Sequence, residues 1–278
     1  MTGVAPTVQL RNGAKIPVLG LGTYSLNGEE GAAAVRTALQ AGYRLLDTAE
    51  NYRNEDAVGA GIASSGVPRS EIFLTTKFNR EWHSVDGARR AFEASIERLG
   101  VDYLDLLLIH WPNPDQDRYV DAVRGLQALL DDGLVRAIGT SNFKPTHLRR
   151  VIEETGIVPD VNQIQLSPYH PRVEDRAFAD EHGIAIESWS PIGGRGENLR
   201  SEPVITEIAE AVGRTPAQVI LRWHHQLGLI SIPKSGNPER MRQNLAIFDF
   251  ELTDDQVAAI NTLDRGGEGL ADSDRQGH

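Results

Sequence analysis

Short, continuous apolar runs recur along this chain, separated by longer stretches with helical periodicity. The runs begin at Val18 (VLGLG), Tyr43 (YRLLD), Ile72 (IFLTTK), Tyr103 (YLDLLLIH), Val135 (VRAIGTS), Val161 (VNQIQL), Ile184 (IAIESWS) and Leu229 (LISIP). Continuous rather than alternating apolarity suits parallel strands covered on both faces. Between runs, Phe92, Ile96 and Leu99 share one stripe of a helix read from Val85 to Gly100. Val123, Leu126 and Leu130 do the same from Tyr119 to Asp131, with Gly133 as a stop, and Leu148, Val151 and Ile152 from Lys144 to Glu154. Thr215-Pro216 opens another helix as N-cap and first-turn proline, and a further helix starts at Pro238. Ahead of the first run, VQLRNGAKIPVLG reads as a hairpin turning on Asn12-Gly13 in a type I′ turn.

Eight such alternations without a long linker predict an α/β fold, a (β/α)8 TIM barrel with an N-terminal β-hairpin, as one domain over residues 1–278. A doubly wound sheet would announce itself by a glycine-rich turn after the first strand. Gly20-Leu21-Gly22-Thr23-Tyr24 lacks the third glycine and a following helix, which favours the barrel.

Charge narrows the choice of partner. The 28 basic and 39 acidic side chains leave a net charge of −11, which argues against nucleic acid or an anionic membrane as partner and leaves room for a local basic pocket. Cysteine is absent, which excludes disulfides, thiolate metal sites and cysteine nucleophiles. No apolar run reaches the roughly 18 residues needed to span a bilayer. MTGVAPTVQL has neither the basic start nor the apolar stretch of a secretory signal, so a cytoplasmic location is expected.

In a barrel of this kind, working side chains stand where strands end. The second run ends at Asp47, with Tyr52 in the loop beyond it. The third ends at Lys77, the fourth at His110 and the fifth at Ser141-Asn142, while the sixth carries Gln163. A phenol is a poor acid at neutral pH unless a nearby ammonium stabilises the phenolate, and a carboxylate can hold that ammonium charged. Tyr52 as proton donor, Lys77 tuning it, Asp47 anchoring Lys77 and His110 orienting an oxygen would make a carbonyl-reducing site. The hydride must come from a cofactor, since no side chain carries one. Asp47 and Lys77 alone could be a structural ion pair; Tyr52 and His110 on neighbouring strand ends tip the reading toward catalysis. His224 and His225 are adjacent, face different ways and read as structural. His83, His147, His170 and His182 lack ligand spacing, so no metal is expected.

The blocks GYRLLDTAENYRNE, TTK, LDLLLIHWP, GTSNF and IPKSGNPERMRQN, in this order over nearly the whole chain, resemble the aldo-keto reductases, in particular the bacterial branch that includes diketogluconate reductases. The family's tetrad falls on Asp47, Tyr52, Lys77 and His110. The resemblance implies that Thr23 and Asp47 lie near the nicotinamide ribose, that Ser141, Asn142 and Gln163 hold the carboxamide, and that Trp189 stacks on the ring. It also puts Ser190, Ile192, Gly193 and Gly194 along the pyrophosphate. Lys234, Ser235, Gly236, Asn237 and Arg240 would surround the adenosine 2′-phosphate, with Gln243 and Asn244 at the adenine. Lys234 and Arg240 near a helix start suit a phosphate dianion, which makes NADPH the expected cofactor. Tyr24 and Trp111 would shape the substrate pocket beside Tyr52 and His110.

The expected function is NADPH-dependent reduction of small-molecule aldehydes or ketones by a monomer. The alternative is a cofactor-binding sensor with slow or no turnover. For the acidic, glycine-rich segment from Asp264 to His278, two readings stand side by side: a frayed tail, or a border of the substrate cleft.

Overall fold

The computed structural model describes residues 4–194 and 196–278. The chain opens with an antiparallel hairpin of β1 (Thr7–Gln9) and β2 (Lys15–Pro17), in which Val8 lies opposite Ile16. Its turn differs from the expected type I′. Gly13 takes positive φ (93°) and Asn12 does not, while Gly13 N–H donates to Leu10 O and Leu10 N–H to Ala14 O. That is a three-residue loop with glycine at the left-handed position. Tertiary contacts account for the change: Asn12 Nδ2 donates to Asp160 Oδ2 at 3.0 Å and to Arg136 O at 2.8 Å, tying the turn to the barrel floor.

Eight parallel strands follow: β3 (Leu21–Gly22), β4 (Leu45–Asp47), β5 (Phe73–Phe78), β6 (Leu106–Ile109), β7 (Ile138–Ser141), β8 (Val161–Gln165), β9 (Ala185–Trp189) and β10 (Ile230–Ser231). Each pairs with its sequence neighbour, in the order of a (β/α)8 barrel. The ring closes through parallel bridges from Leu19 to Ser231 and from Gly22 to Lys234. Glycine is required at this seam, because a Cβ on Gly22 would stand 2.7 Å from Ile232 O.

Inside the ring, Leu45, Phe73, Leu106, Leu108, Val161 and Ile230 pack into a lower core plugged by the hairpin residues Leu10 and Ile16. Outside it, the other strand face meets the helices, with Leu46, Leu74, Leu107, Ile138 and Ile164 in a second, larger core. Burial on both faces is why the strands read as unbroken apolar runs.

The helices are α1 (Gly28–Ala41), α2 (Glu55–Ala63), α3 (Val85–Leu99), α4 (Tyr119–Asp131), α5 (Pro145–Thr155), α6 (Val173–His182), α7 (Pro203–Val212), α8 (Pro216–Gln226), α9 (Pro238–Leu245) and α10 (Asp254–Asn261). Thr215 caps α8 reciprocally with Gln218, as its sequence suggests. Asp47 is the last residue of β4, Lys77 the next-to-last of β5, and His110 directly follows β6.

Candidate active site

Asp47 ends β4, and the chain then makes a short 3-10 turn, Glu50–Tyr52, that brings Tyr52 back over the strand ends. Buried Asn54 holds this loop, donating to Thr23 O at 2.8 Å and to Leu26 O at 3.0 Å while accepting from Thr48 Oγ1. Glu50 fastens its outer side by accepting from Trp82 Nε1 at 2.9 Å. Tyr52 is therefore placed by a loop tied down at both ends.

Lys77 is fully buried, and its ammonium has three acceptors: Asp47 Oδ1 at 2.6 Å, Thr48 O at 2.9 Å and Tyr52 Oη at 3.4 Å. An ammonium has three hydrogens, so all are committed. The phenol oxygen accepts from Lys77, which leaves the phenol's own hydrogen free for another oxygen. Burial works to lower the Lys77 pKa, but the charges of Asp47, Tyr52 and Glu187 outweigh it and hold the ammonium above its ordinary value. Burial pushes the Tyr52 phenol up, Lys77 pulls it back, and Asp47 counters Lys77. The net shift is upward, so Lys77 offsets burial without overcoming it. His110 is held well below the ordinary imidazole range, first by burial and then by the charge of Lys77, and so is neutral at pH 7. Its ring lies 6.0 Å from that of Tyr52.

Asp47, Tyr52 and His110 line a cavity of about 500 Å³, and fully buried Lys77 reaches it only through its contacts with Asp47 and Tyr52. Tyr24, Tyr52, His110 and Trp111 form one wall, with the Tyr24 ring edge-on to Tyr52 at 5.2 Å. Thr23, Asp47, Ser141, Asn142, Gln163 and Trp189 also line it, together with Ser190, Ile192, Gly193 and Lys234. Gln163 Nε2 donates to Asp47 Oδ2 and to Glu187 Oε2, each at 2.8 Å, so only its carbonyl oxygen remains available. Trp189 Nε1 donates to Asn142 Oδ1 at 3.0 Å, and Asn142 Nδ2 to His110 O at 3.0 Å. Thr23 Oγ1 and Trp111 Nε1 are buried without a hydrogen-bond partner among the described residues.

The remaining expected cofactor positions lie outside this cavity. Gly194 N–H is taken by Glu197 Oε2 at 2.6 Å. Ser235, Gly236 and Asn237 form the turn before α9, and Asn237 Oδ1 accepts from the amides of Glu239 and Arg240. The N-terminus of α9 is thus already capped, and an anion there would rely on side chains. Lys234 and Arg240 are both exposed, and neither has a carboxylate partner among the described residues. Gln243 donates to Glu239 at 3.4 Å, while Asn244 is buried on the inner face of α9.

Two features complete the surroundings of the site: one decides between the two readings of the C-terminal segment, and the other escaped the sequence reading. The C-terminal segment is not frayed: Lys144 Nζ holds Asp272 at 2.7 Å and Asp274 at 2.5 Å, and His147 Nε2 meets Asp274 at 2.8 Å. This brings His278 into the cavity, its ring 4.7 Å from that of His110 and its side chain against Asn51. Contacts between residues so distant in sequence leave no periodic signal. The other feature is Glu187, fully buried on β9. A lone carboxyl inside the apolar run IAIESWS, two residues before Trp189 and so on its face, was the available clue.

The family model described as the aldo/keto reductase family matches residues 18–265, and the chain belongs to this family of carbonyl oxidoreductases. Among its relatives is an aldo-keto reductase of Mycolicibacterium smegmatis, 52% identical over 95% of both chains. The 2,5-diketo-D-gluconic acid reductase B of a Corynebacterium species is 49% identical over 94% of both. A crystal structure of the Bombyx mori aldo-keto reductase in complex with NADP superposes with a TM-score of 0.88 at 37% identity, covering 94% of this chain and 93% of that one.

Proposed function

We propose that the cavity reduces small aldehydes and ketones to alcohols with NADPH, and that Tyr52 is the acid that protonates the carbonyl oxygen. The observation that carries this reading is the saturated Lys77 ammonium, which gives a hydrogen to the Tyr52 oxygen and leaves the phenolic hydrogen unspent. As the proton leaves, Lys77 lies where it stabilises the phenolate, and Asp47 keeps Lys77 charged. Neutral His110 offers a ring N–H to the same substrate oxygen and brings no competing charge.

The residues fit a nicotinamide dinucleotide. Among the described residues, Thr23 Oγ1 is a buried hydroxyl without a partner, the Gln163 amide nitrogen is spent on two carboxyls while its carbonyl oxygen is not, and the Trp189 indole donates to Asn142. When bound, the reduced cofactor supplies the hydride that adds to the carbonyl carbon. The Trp189 ring and Ser141, Asn142 and Gln163 would hold the nicotinamide end, and Ser190, Ile192 and Gly194 the pyrophosphate. Lys234 and Arg240, two cations without carboxylate partners among the described residues, favour the additional phosphate of NADPH over NADH, with Ser235, Gly236, Asn237, Gln243 and Asn244 around the adenosine. NADP bound to the Bombyx mori relative supports this choice. Tyr24 and Trp111 give the substrate side an aromatic wall.

The test is loss of NADPH absorbance with a panel of carbonyl compounds, run on wild type and Tyr52→Phe. Turnover by wild type, with a loss of about 10²-fold or more in the variant and NADPH binding retained, is expected. Full activity of Tyr52→Phe would refute the proton-donor role. Tight NADPH binding without turnover on any carbonyl would favour a sensor.

A further inference from the structure

Glu187 is an acid for which the chemistry above has no use. It is fully buried inside the barrel, on the strand that carries Trp189, and forms no ion pair among the described residues. Its Oε2 accepts from Gln163 Nε2 at 2.8 Å, and its Oε1 has no partner among the described residues. The same Gln163 nitrogen reaches Asp47 Oδ2 at 2.8 Å, and Asp47 Oδ1 holds Lys77 at 2.6 Å. One line of contacts therefore runs from Glu187 through Gln163, Asp47 and Lys77 to Tyr52.

We propose that Glu187 is a positioning residue, which locks the Gln163 amide from behind and sets the charge that Lys77 must balance when Tyr52 gives up its proton. The proposal rests on the reading of Tyr52 as the acid.

The titratable groups that act on Glu187 are Asp47 from β4 and Lys77 from β5; its strand neighbours supply the neutral Gln163 from β8 and Ile230 from β10. A buried carboxylate without its own cation is costly, so such a group tends to take up a proton instead. Burial first, and then repulsion from Asp47, push Glu187 up to about 8, against smaller downward pulls from Gln163 and Lys77. At neutral pH the carboxyl is mostly protonated, and Asp47 and Lys77 balance each other. Above about pH 8 a second negative charge appears beside that pair. It favours the ammonium, disfavours a phenolate at Tyr52 and makes Tyr52 a weaker acid. Carbonyl reduction falls on that side of the transition. Glutamine at this position keeps an acceptor for Gln163 and cannot titrate.

The experiment combines pH profiles of kcat with infrared difference spectra of the cofactor-free protein. In wild type, a protonated-carboxyl stretch should disappear across about pH 8, together with a decline in kcat for reduction. Glu187→Gln should lack that band and move the alkaline decline upward by more than about one pH unit. Glu187→Ala, which leaves Gln163 with an unpaired N–H, should raise KM for NADPH, and Glu187→Gln should restore it. Superimposable kcat profiles for wild type and Glu187→Gln, or a Glu187→Gln variant that keeps the band, would overturn the proposal. So would wild-type protein without such a band, a measurement that needs no variant. Tyr52→Phe is run in parallel. If it remains active, the reading of Tyr52 fails; if it is inactive while the Glu187→Gln profile is unmoved, only the role of Glu187 fails.

Discussion

Trp189 and Asn142 are joined by a 3.0 Å hydrogen bond from the indole nitrogen to the amide oxygen, and Asn142 in turn donates to the backbone carbonyl of His110. The orientation of the ring is thereby coupled to the strand end that carries His110. Trp189→Phe keeps an aromatic face but loses this bond. It should weaken NADPH binding by about tenfold, the equivalent of roughly one hydrogen bond plus lost ring area. Calorimetric titration with NADPH checks this; unchanged affinity would separate Trp189 from the cofactor.

Lys77→Met should do more than slow turnover. Removing one partner of a buried pair leaves the other without its counter-charge, at a cost of about 3–5 kcal/mol. In the variant, burial acts on Asp47 without the opposing pull of Lys77, so its folded pKa rises further above the unfolded one. The folded state then binds the proton more tightly. The contribution of Asp47 to stability is fully present below its unfolded value, roughly 3.9, and is lost as pH rises through the folded value. Urea melts at several pH values test this; a variant as stable as wild type at neutral pH would contradict it.

Arg240→Ala should discriminate between the cofactors. An exposed guanidinium that meets a phosphate contributes a charge-assisted contact weakened by solvent, so the loss for NADPH should be about tenfold and smaller at high salt. NADH binding should barely change. Equal losses for both cofactors would place Arg240 elsewhere than at the 2′-phosphate.

Lys144 lies far in sequence from the segment it holds. Lys144→Ala removes the cation that clasps Asp272 and Asp274 and should free His278 from the cavity wall. Exposed ion pairs contribute little to global stability, so Tm should move by only a degree or two. KM for the carbonyl substrate should change several-fold while NADPH affinity is preserved. A carbonyl KM equal to that of wild type would show that the segment does not shape the substrate side.

Much of the architecture was legible because it is local. Continuous apolar runs marked the strands, and the stripe of Phe92, Ile96 and Leu99 marked α3. Thr215-Pro216 marked the start of α8. The hairpin turn was misread for the opposite reason: Asn12-Gly13 has the local chemistry of type I′, but Asn12 is used by Asp160 and Arg136 across the barrel floor. The cap at Asn237 was also hidden, because the same residue type serves as a helix cap or as a ligand contact.

By itself the sequence determined the barrel and the candidate residues at its strand ends, since an unbroken apolar run, a helical period of 3.6 and the position of a polar residue after an apolar run can each be read within one segment. Tertiary structure alone decided how those groups interact. The three acceptors of Lys77, the upward shift of Tyr52, the His278 wall and the carboxyl of Glu187 behind Gln163 all depend on distances between segments far apart in the chain. Charge interactions and desolvation act through space, and no order of residues along a strand states how deeply a group is buried or which charge will stand beside it.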